Sequence, residues 1–250
     1  MVAAPVREEK HVIANDRLIV AVDTTDVTAA LDLLAKLEGT INWVKVGLSL
    51  FTLGGPGLVK TLVQSGYNVF LDLKLHDIPH QVELAVENMK DLGVKLATVH
   101  TGGGPAMMEA AVKAAGDDIT ILGVTVLTSM DHHDLVSIGY TAGFFTEVAK
   151  VVYHRAETAK SVGVPGVICS PNDAVNMAKL GFAEIVTPGI RMQIEDAPFK
   201  PTDTQDQKRV NTPTEAIRNG ATRLVVGRAI TQAEDPCDAA QKVLEAIRAA

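Results

Sequence analysis

A chain of 250 residues with 47% hydrophobic but only 4% aromatic residues can bury one large aliphatic core, the size and character of a single closed α/β barrel. Its formal net charge of −7 excludes a broad nucleic-acid surface, which needs clustered positive charge, and leaves room only for a local basic pocket. The two distant cysteines, Cys169 and Cys237, make no metal motif, and no apolar run is long enough for a membrane span or a signal core, so a cytoplasmic protein with no membrane contact is expected.

Short β-branched runs alternate with longer amphipathic stretches along the chain. Residues 1–16 read as a loosely ordered extension. Leu18–Asp23 reads as a first strand, followed by a helix from Asp26, a suitable N-cap, to Glu38 with Gly39 as its stop. Trp43–Gly47 is a second strand, with a helix ending near Gly66. Asn68–Lys74 is a third, with a helix after Pro79 that stops at Gly93. Leu96–His100 and Ile119–Leu127 are strands four and five, separated by a helix over Pro105–Ala115. Met130–Gly143 reads as irregular or part-helical, and Phe144–Val162 as strongly helical. Gly166–Ser170 and Glu184–Thr187 are strands six and seven, with a helix opening near Pro171 between them. Arg223–Gly227 is the eighth strand, and Pro236–Ala249 a closing helix. Eight strands, each followed by a helix, predict parallel strands, right-handed crossovers and closure into a filled (β/α)₈ barrel formed by the whole chain as one domain. A doubly wound open sheet is disfavoured, because the first strand ends Val22-Asp23-Thr24-Thr25 without the glycines of a dinucleotide fingerprint.

Active-site groups of such barrels sit at the C-terminal ends of the strands. Here the first strand ends in Asp23, the second carries Lys45, the third carries Asp72 and Lys74 with Asp77 just beyond, and the fourth ends in His100. Residues i and i+2 of a strand share a face, so Asp72 and Lys74 are expected to project together, with Lys45 beside them. A structural ion-pair network is the competing reading for any one of them, but five charges at three neighbouring strand ends point to a site. The lysines interleaved with the aspartates neutralise the charge a divalent cation would answer, so no required metal is expected. His132-His133 reads as a solvated loop pair whose rings point apart. A second cluster lies late in the chain, where Thr187-Pro188-Gly189-Ile190-Arg191 ends strand seven and Val226-Gly227-Arg228 ends strand eight. Loops after strands seven and eight frequently bind phosphate, with glycine admitting close backbone approach and arginine supplying a forked donor. The long polar stretch between them, Gln193–Thr212, reads as a lid.

The run Asp72-Leu-Lys74-Leu-His76-Asp77-Ile78-Pro79, with Val20-Ala-Val-Asp23, Lys45-Val-Gly47, Val124-Thr-Val-Leu-Thr128-Ser129, Thr187-Pro-Gly-Ile-Arg191 and Val226-Gly-Arg228 in one register, resembles the orotidine 5'-phosphate decarboxylase family from Leu18 to Ala249. The resemblance implies a cofactor-free homodimeric enzyme of pyrimidine biosynthesis. In it, Lys74 protonates C6 of the pyrimidine as carbon dioxide leaves. Asp72 lies against the substrate carboxylate in a charge-alternating network with Lys45 and with Asp77 of a second subunit. Asp23 and Lys45 hold ribose hydroxyls, Thr128 contacts the uracil edge, and Pro188, Arg191, Gln207, Gly227 and Arg228 surround the phosphate. Ile78 and Gln81 reach into the neighbouring subunit's site. Family members commonly carry Asn-Thr after Asp-Ile-Pro, where this chain has His80-Gln81, which leaves the contact made by Gln81 open. A magnesium-dependent sugar-phosphate decarboxylase of the same wider family, and a non-catalytic barrel that binds a phosphorylated metabolite, are the alternative readings.

Overall fold

The computed structural model describes residues 14–140, 147–192 and 211–250. Its eight strands, β1 (Leu18–Ala21), β2 (Trp43–Gly47), β3 (Asn68–Leu75), β4 (Leu96–His100), β5 (Thr120–Val124), β6 (Gly166–Ile168), β7 (Glu184–Thr187) and β8 (Arg223–Val226), pair in chain order, all parallel. β8 pairs back onto β1 and closes the barrel. The helices between them are α1 (Val27–Lys36), α2 (Leu48–Gln64), α3 (Pro79–Asp91), α4 (Pro105–Ala115), α5 (His132–Ser137), α6 (Val148–Ser161), α7 (Ala174–Lys179), α8 (Pro213–Arg218), α9 (Arg228–Thr231) and α10 (Pro236–Arg248). The chain is therefore a (β/α)₈ barrel.

Local chemistry sets the helix limits. Asp26 caps α1 by accepting a hydrogen bond from the Thr28 amide at 2.8 Å. Thr212 and Glu215 form a reciprocal capping box on α8, with Pro213 in its first turn. α2 is kinked, because Gly55 takes φ 56° immediately before Pro56, a conformation that costs glycine nothing. Several limits differ from the sequence expectation. β5 stops at Val124 rather than Leu127, and β6 at Ile168 rather than Ser170, since beyond those points the chain leaves the ladder for loops. The helix expected near Pro171 opens at Ala174. Residues 14–17 are helical and Ala14 is buried, so the end of the extension expected over 1–16 belongs to the folded body; residues 1–13 lie outside the described residues. The short helices α8 and α9 lack the long apolar period that would mark their limits in the sequence. His132 and His133 start α5 instead of sitting in a loop, and their rings meet edge to face at 5.6 Å rather than pointing apart.

Alternation along the strands divides the core in two. Leu18, Val20, Val44, Val46, Val69, Leu71, Ala97 and Val99 pack outward in the large cluster under the helices. Ile19, Ala21, Trp43, Phe70, Leu96, Leu122, Val186 and Val225 form a separate cluster that fills the barrel. Burial of a side chain the size of Phe70, which is 1% exposed, stabilises by roughly 1.5–3 kcal/mol. At the strands' N-terminal ends the Arg223 guanidinium lies 4.1 Å over the Trp43 ring and pairs with Glu184 at 3.2 Å. It also donates to the Asp16 carbonyl, tying the helical turn of residues 14–17 across the bottom of the barrel. Cys169 is buried, Cys237 is half-buried with Sγ 3.1 Å from Thr40 Oγ1, and the two form no disulfide. No helix among the described residues is long and apolar enough to cross a membrane.

Candidate active site

Two residues beyond the apolar plug, on the same inward faces, the barrel turns polar. Above Ala21 stands Asp23, above Trp43 stands Lys45, above Phe70 stands Asp72, and above Leu96 stands Thr98. In register Lys45 lies opposite Phe70 and Asp72 opposite Gly47, a stagger of two residues across which the Lys45 and Asp72 side chains still meet. The charged groups form a relay of alternating charge. Lys45 Nζ is 3.1 Å from Asp23 Oδ1 and 3.6 Å from Asp72 Oδ2, and Lys74 Nζ is 2.9 and 3.0 Å from the two oxygens of Asp72. Thr98 Oγ1 donates to Asp72 Oδ1 at 3.0 Å. Thus Asp72, whose side chain is 12% exposed, is held from three sides, and the buried charges are paired as burial demands. The Lys74 side chain, at 32% exposed, is the open end of the relay, whereas Lys45 is sealed at 10%.

Asp72 and Lys74 do project together, but not because the strand runs regularly between them. Lys74 has φ 51°, the only positive φ of a non-glycine residue among those described, and the β3–β4 register shifts between Leu71 and Leu75. This irregularity swings the lysine back onto Asp72 Oδ1 and Oδ2. Lys74 N–H is thereby taken out of the ladder and donates to Thr98 Oγ1 at 2.8 Å.

The other residues singled out by the sequence fall into two groups. Asp77, Ile78 and Gln81 do not join the relay within one chain. They are exposed where β3 passes into α3, Ile78 at 63%, and Asp77 Oδ1 accepts from the Ile78 amide at 2.7 Å. Thr128 is half-buried in the turn after β5. Pro188 and Arg191 follow β7, and Gly227 and Arg228 follow β8, with Gly227 capping α9. The chain after β7 is pinned to the start of α8 by an isolated parallel bridge: Arg191 N donates to Asn211 O at 3.0 Å and Asn211 N to Gly189 O at 3.2 Å. Gln207 and residues 193–210 of the lid expected over Gln193–Thr212 lie outside the described residues, while Thr212 caps α8.

Sequence reasoning missed Thr98, which carries no charge; its signal was its place two residues above the plug residue Leu96. It also missed that His76 and His100 meet Arg155 and Tyr140 in one corner beside Lys74. The His76 and His100 rings stack at 5.2 Å, and Arg155 of α6 donates to the Thr125 carbonyl and to the Tyr140 hydroxyl. Burial, and then electrostatic repulsion from Arg155, His76 and Lys74, lower the His100 pKa from its ordinary 6.5 to about 4. Its Nδ1 accepts from Gly102 N at 3.3 Å, as a neutral ring can. A base with a depressed folded-state pKa contributes stability that is fully present above about pH 6.5 and is lost as pH falls from there through about 4. His100→Asn is therefore expected to flatten the acid limb of stability between pH 6.5 and 4.5. Denaturant midpoints measured across that range check it, and a limb as steep as that of the unsubstituted protein would exclude His100 as a contributor.

Among the described residues no group of three or more His, Cys, Asp and Glu side chains is placed to hold a metal ion. Within the relay itself, Lys45 Nζ occupies the space between Asp23 and Asp72 that a shared cation would need.

The profile of the orotidine 5'-phosphate decarboxylase / HUMPS family matches residues 16–243. The chain belongs to this family. It is 42% identical over 237 residues to the orotidine 5'-phosphate decarboxylase of Bradyrhizobium sp. (strain ORS 278), covering 94% of this chain and 93% of that one. It is 41% identical over 224 residues to that of Neisseria meningitidis serogroup A, covering 88% and 87% of the two chains. Among solved structures, the orotidine 5'-phosphate decarboxylase from Lactobacillus acidophilus superposes with a TM-score of 0.77 at 34% identity, covering 92% of this chain and 98% of the other. An uncharacterised conserved protein from Geobacillus kaustophilus also superposes with a TM-score of 0.77, at 31% identity. The relay lies at the C-terminal ends of β1, β2 and β3, the end at which (β/α)₈ barrels carry their active sites.

Proposed function

We propose that this protein decarboxylates orotidine 5'-phosphate to uridine 5'-phosphate and carbon dioxide, a step of pyrimidine nucleotide biosynthesis, without metal or organic cofactor. The observation that carries the reading is the relay Asp23–Lys45–Asp72–Lys74, whose open end is an ammonium held 2.9 Å from a buried carboxylate.

The C6–CO₂ bond breaks with its electron pair left on C6, which no conjugated sink can accept. The needed barrier reduction lies towards the upper end of the ~8–23 kcal/mol that enzymes supply. Fixed charges in a closed pocket stabilise the forming carbanion without reorganising. The Lys74 ammonium faces that charge, transfers a proton from Nζ to C6 and is left as the neutral amine, which solvent then reprotonates. Asp72 stands against the departing carboxylate, and Asp23 with Lys45 addresses the ribose hydroxyls. Thr128 meets the uracil edge. Pro188, Arg191, Gln207, Gly227 and Arg228 surround the phosphate; for Pro188, Arg191, Gly227 and Arg228 the support is that they follow two strands, β7 and β8, that pair directly.

The functional unit in this reading is a homodimer. Asp77, Ile78 and Gln81 lie exposed beside their own relay without touching it, as the second-subunit role that the family resemblance implies for them requires. From there Asp77 extends the partner's relay, and the Gln81 amide serves where relatives use a threonine hydroxyl. Mixing the purified protein with orotidine 5'-phosphate is expected to give a fall in ultraviolet absorbance at the same rate with and without excess chelator. Loss of turnover in chelator would instead support a magnesium-dependent sugar-phosphate decarboxylase, and binding of uridine 5'-phosphate without turnover a non-catalytic barrel.

A further inference from the structure

The geometry assigns Thr98 as the positioning residue of the Asp72–Lys74 pair, an inference that rests on the decarboxylase reading and deepens it. Thr98 is 1% exposed on β4 and touches both members of the pair with one oxygen. Its hydroxyl donates to Asp72 Oδ1 at 3.0 Å and accepts the Lys74 amide at 2.8 Å. A hydroxyl can do both at once, and few other side chains of that volume can. The two bonds answer two needs created by the irregular β3. With φ 51° at Lys74 and the register shifted from Leu71 to Leu75, the Lys74 N–H loses its ladder acceptor, and an unpaired buried amide costs about 1–3 kcal/mol. The left-handed backbone itself is held only if its surroundings fix it. Asp72, meanwhile, spreads its two oxygens between Lys45 and Lys74, and the Thr98 proton sets the plane of the carboxylate so that Lys74 can bridge both oxygens. Thr98 thereby couples the backbone that delivers the ammonium to the carboxylate that aims it, from a neighbouring strand and without facing the reacting atoms.

Thr98→Val keeps the shape and removes the hydroxyl; Thr98→Ser keeps the hydroxyl and removes a methyl. A displacement of order 1 Å in a reacting group costs about 10²-fold in rate, so Thr98→Val is expected to lower kcat about 10- to 100-fold. Its KM and its affinity for uridine 5'-phosphate, which lacks the reacting carboxylate, should move less than about threefold, the same scale on which Thr98→Ser should retain wild-type kcat. A readout independent of turnover is the labelling rate of Lys74 by an amine-reactive reagent, followed by peptide mapping. It should rise severalfold in Thr98→Val, as the ammonium leaves Asp72, and stay at the wild-type value in Thr98→Ser. If the unsubstituted protein failed to decarboxylate orotidine 5'-phosphate, the proposed function would fall while the labelling experiment still decided the role of Thr98. Unchanged kcat and unchanged labelling in Thr98→Val would overturn the assignment. So would equal losses of kcat in the Val and Ser variants, or a loss of product affinity as large as the loss of kcat, since these mark packing or global unfolding rather than aim.

Discussion

Replacing Lys74 with alanine is expected to lower kcat by at least about 10⁴-fold, the combined scale of removing a proton donor and a preorganised charge. The variant should remain folded and should still bind uridine 5'-phosphate. Both expectations follow from the relay. Lys74 is its open, 32% exposed end, so truncation empties the mouth of the site rather than a packed interior. Asp72 keeps Lys45 at 3.6 Å and the Thr98 hydroxyl at 3.0 Å as partners, and so is not left as an unpaired buried charge. Alanine also inherits the same positive φ, which costs it about what it costs lysine, so the backbone term cancels. The measurements are single-turnover decarboxylation, far-ultraviolet circular dichroism and product titration. Turnover within tenfold of the unsubstituted protein would remove Lys74 from the proton-transfer step.

Arg228→Ala should lower kcat/KM by roughly 10²- to 10³-fold, the effect of losing a charge-assisted, forked contact to an anion. Arg228 opens α9 immediately after β8, with Gly227 at the cap, so its position is set by the strand end rather than by a free-standing loop. The phosphate is remote from C6, and its binding energy can be used to orient the ring and complete the site. A phosphate-free substrate should therefore be turned over slowly by the unsubstituted protein, and faster when phosphite dianion is added. Phosphite should fail to activate Arg228→Ala to the same extent. No activation of the unsubstituted protein would mean that the phosphate contributes anchoring alone.

The barrel was legible because β-branched runs such as Trp43–Gly47 and Arg223–Val226 recur between amphipathic stretches, and parallel closure follows from their number. The charged members of the site were legible for a related reason: Asp23, Lys45 and Asp72 are misfits at positions where a strand should continue apolar. Thr98 was not, because threonine is an ordinary strand residue and its role depends on a neighbouring strand that departs from regular register. The backbone at Lys74 was equally hidden. The i, i+2 rule reached the right pairing through a regular strand that is not there. The corner of His76, His100, Arg155 and Tyr140 joins residues from β3 through α6, and only tertiary packing brings them together. α8 and α9, of 6 and 4 residues, are too short for a periodic pattern to mark them.

The left-handed lysine also sets conformational preference against the role proposed for it. A backbone with φ 51° suits glycine or asparagine, and a lysine there costs about 1–2 kcal/mol that either would spare. A search for sturdier variants, guided by conformational preference alone, would therefore nominate residue 74 among its first improvements. With Lys74 as the proposed proton donor, it would return a more durable protein with its chemistry removed. On that reading, endurance and turnover make opposite demands on this one position.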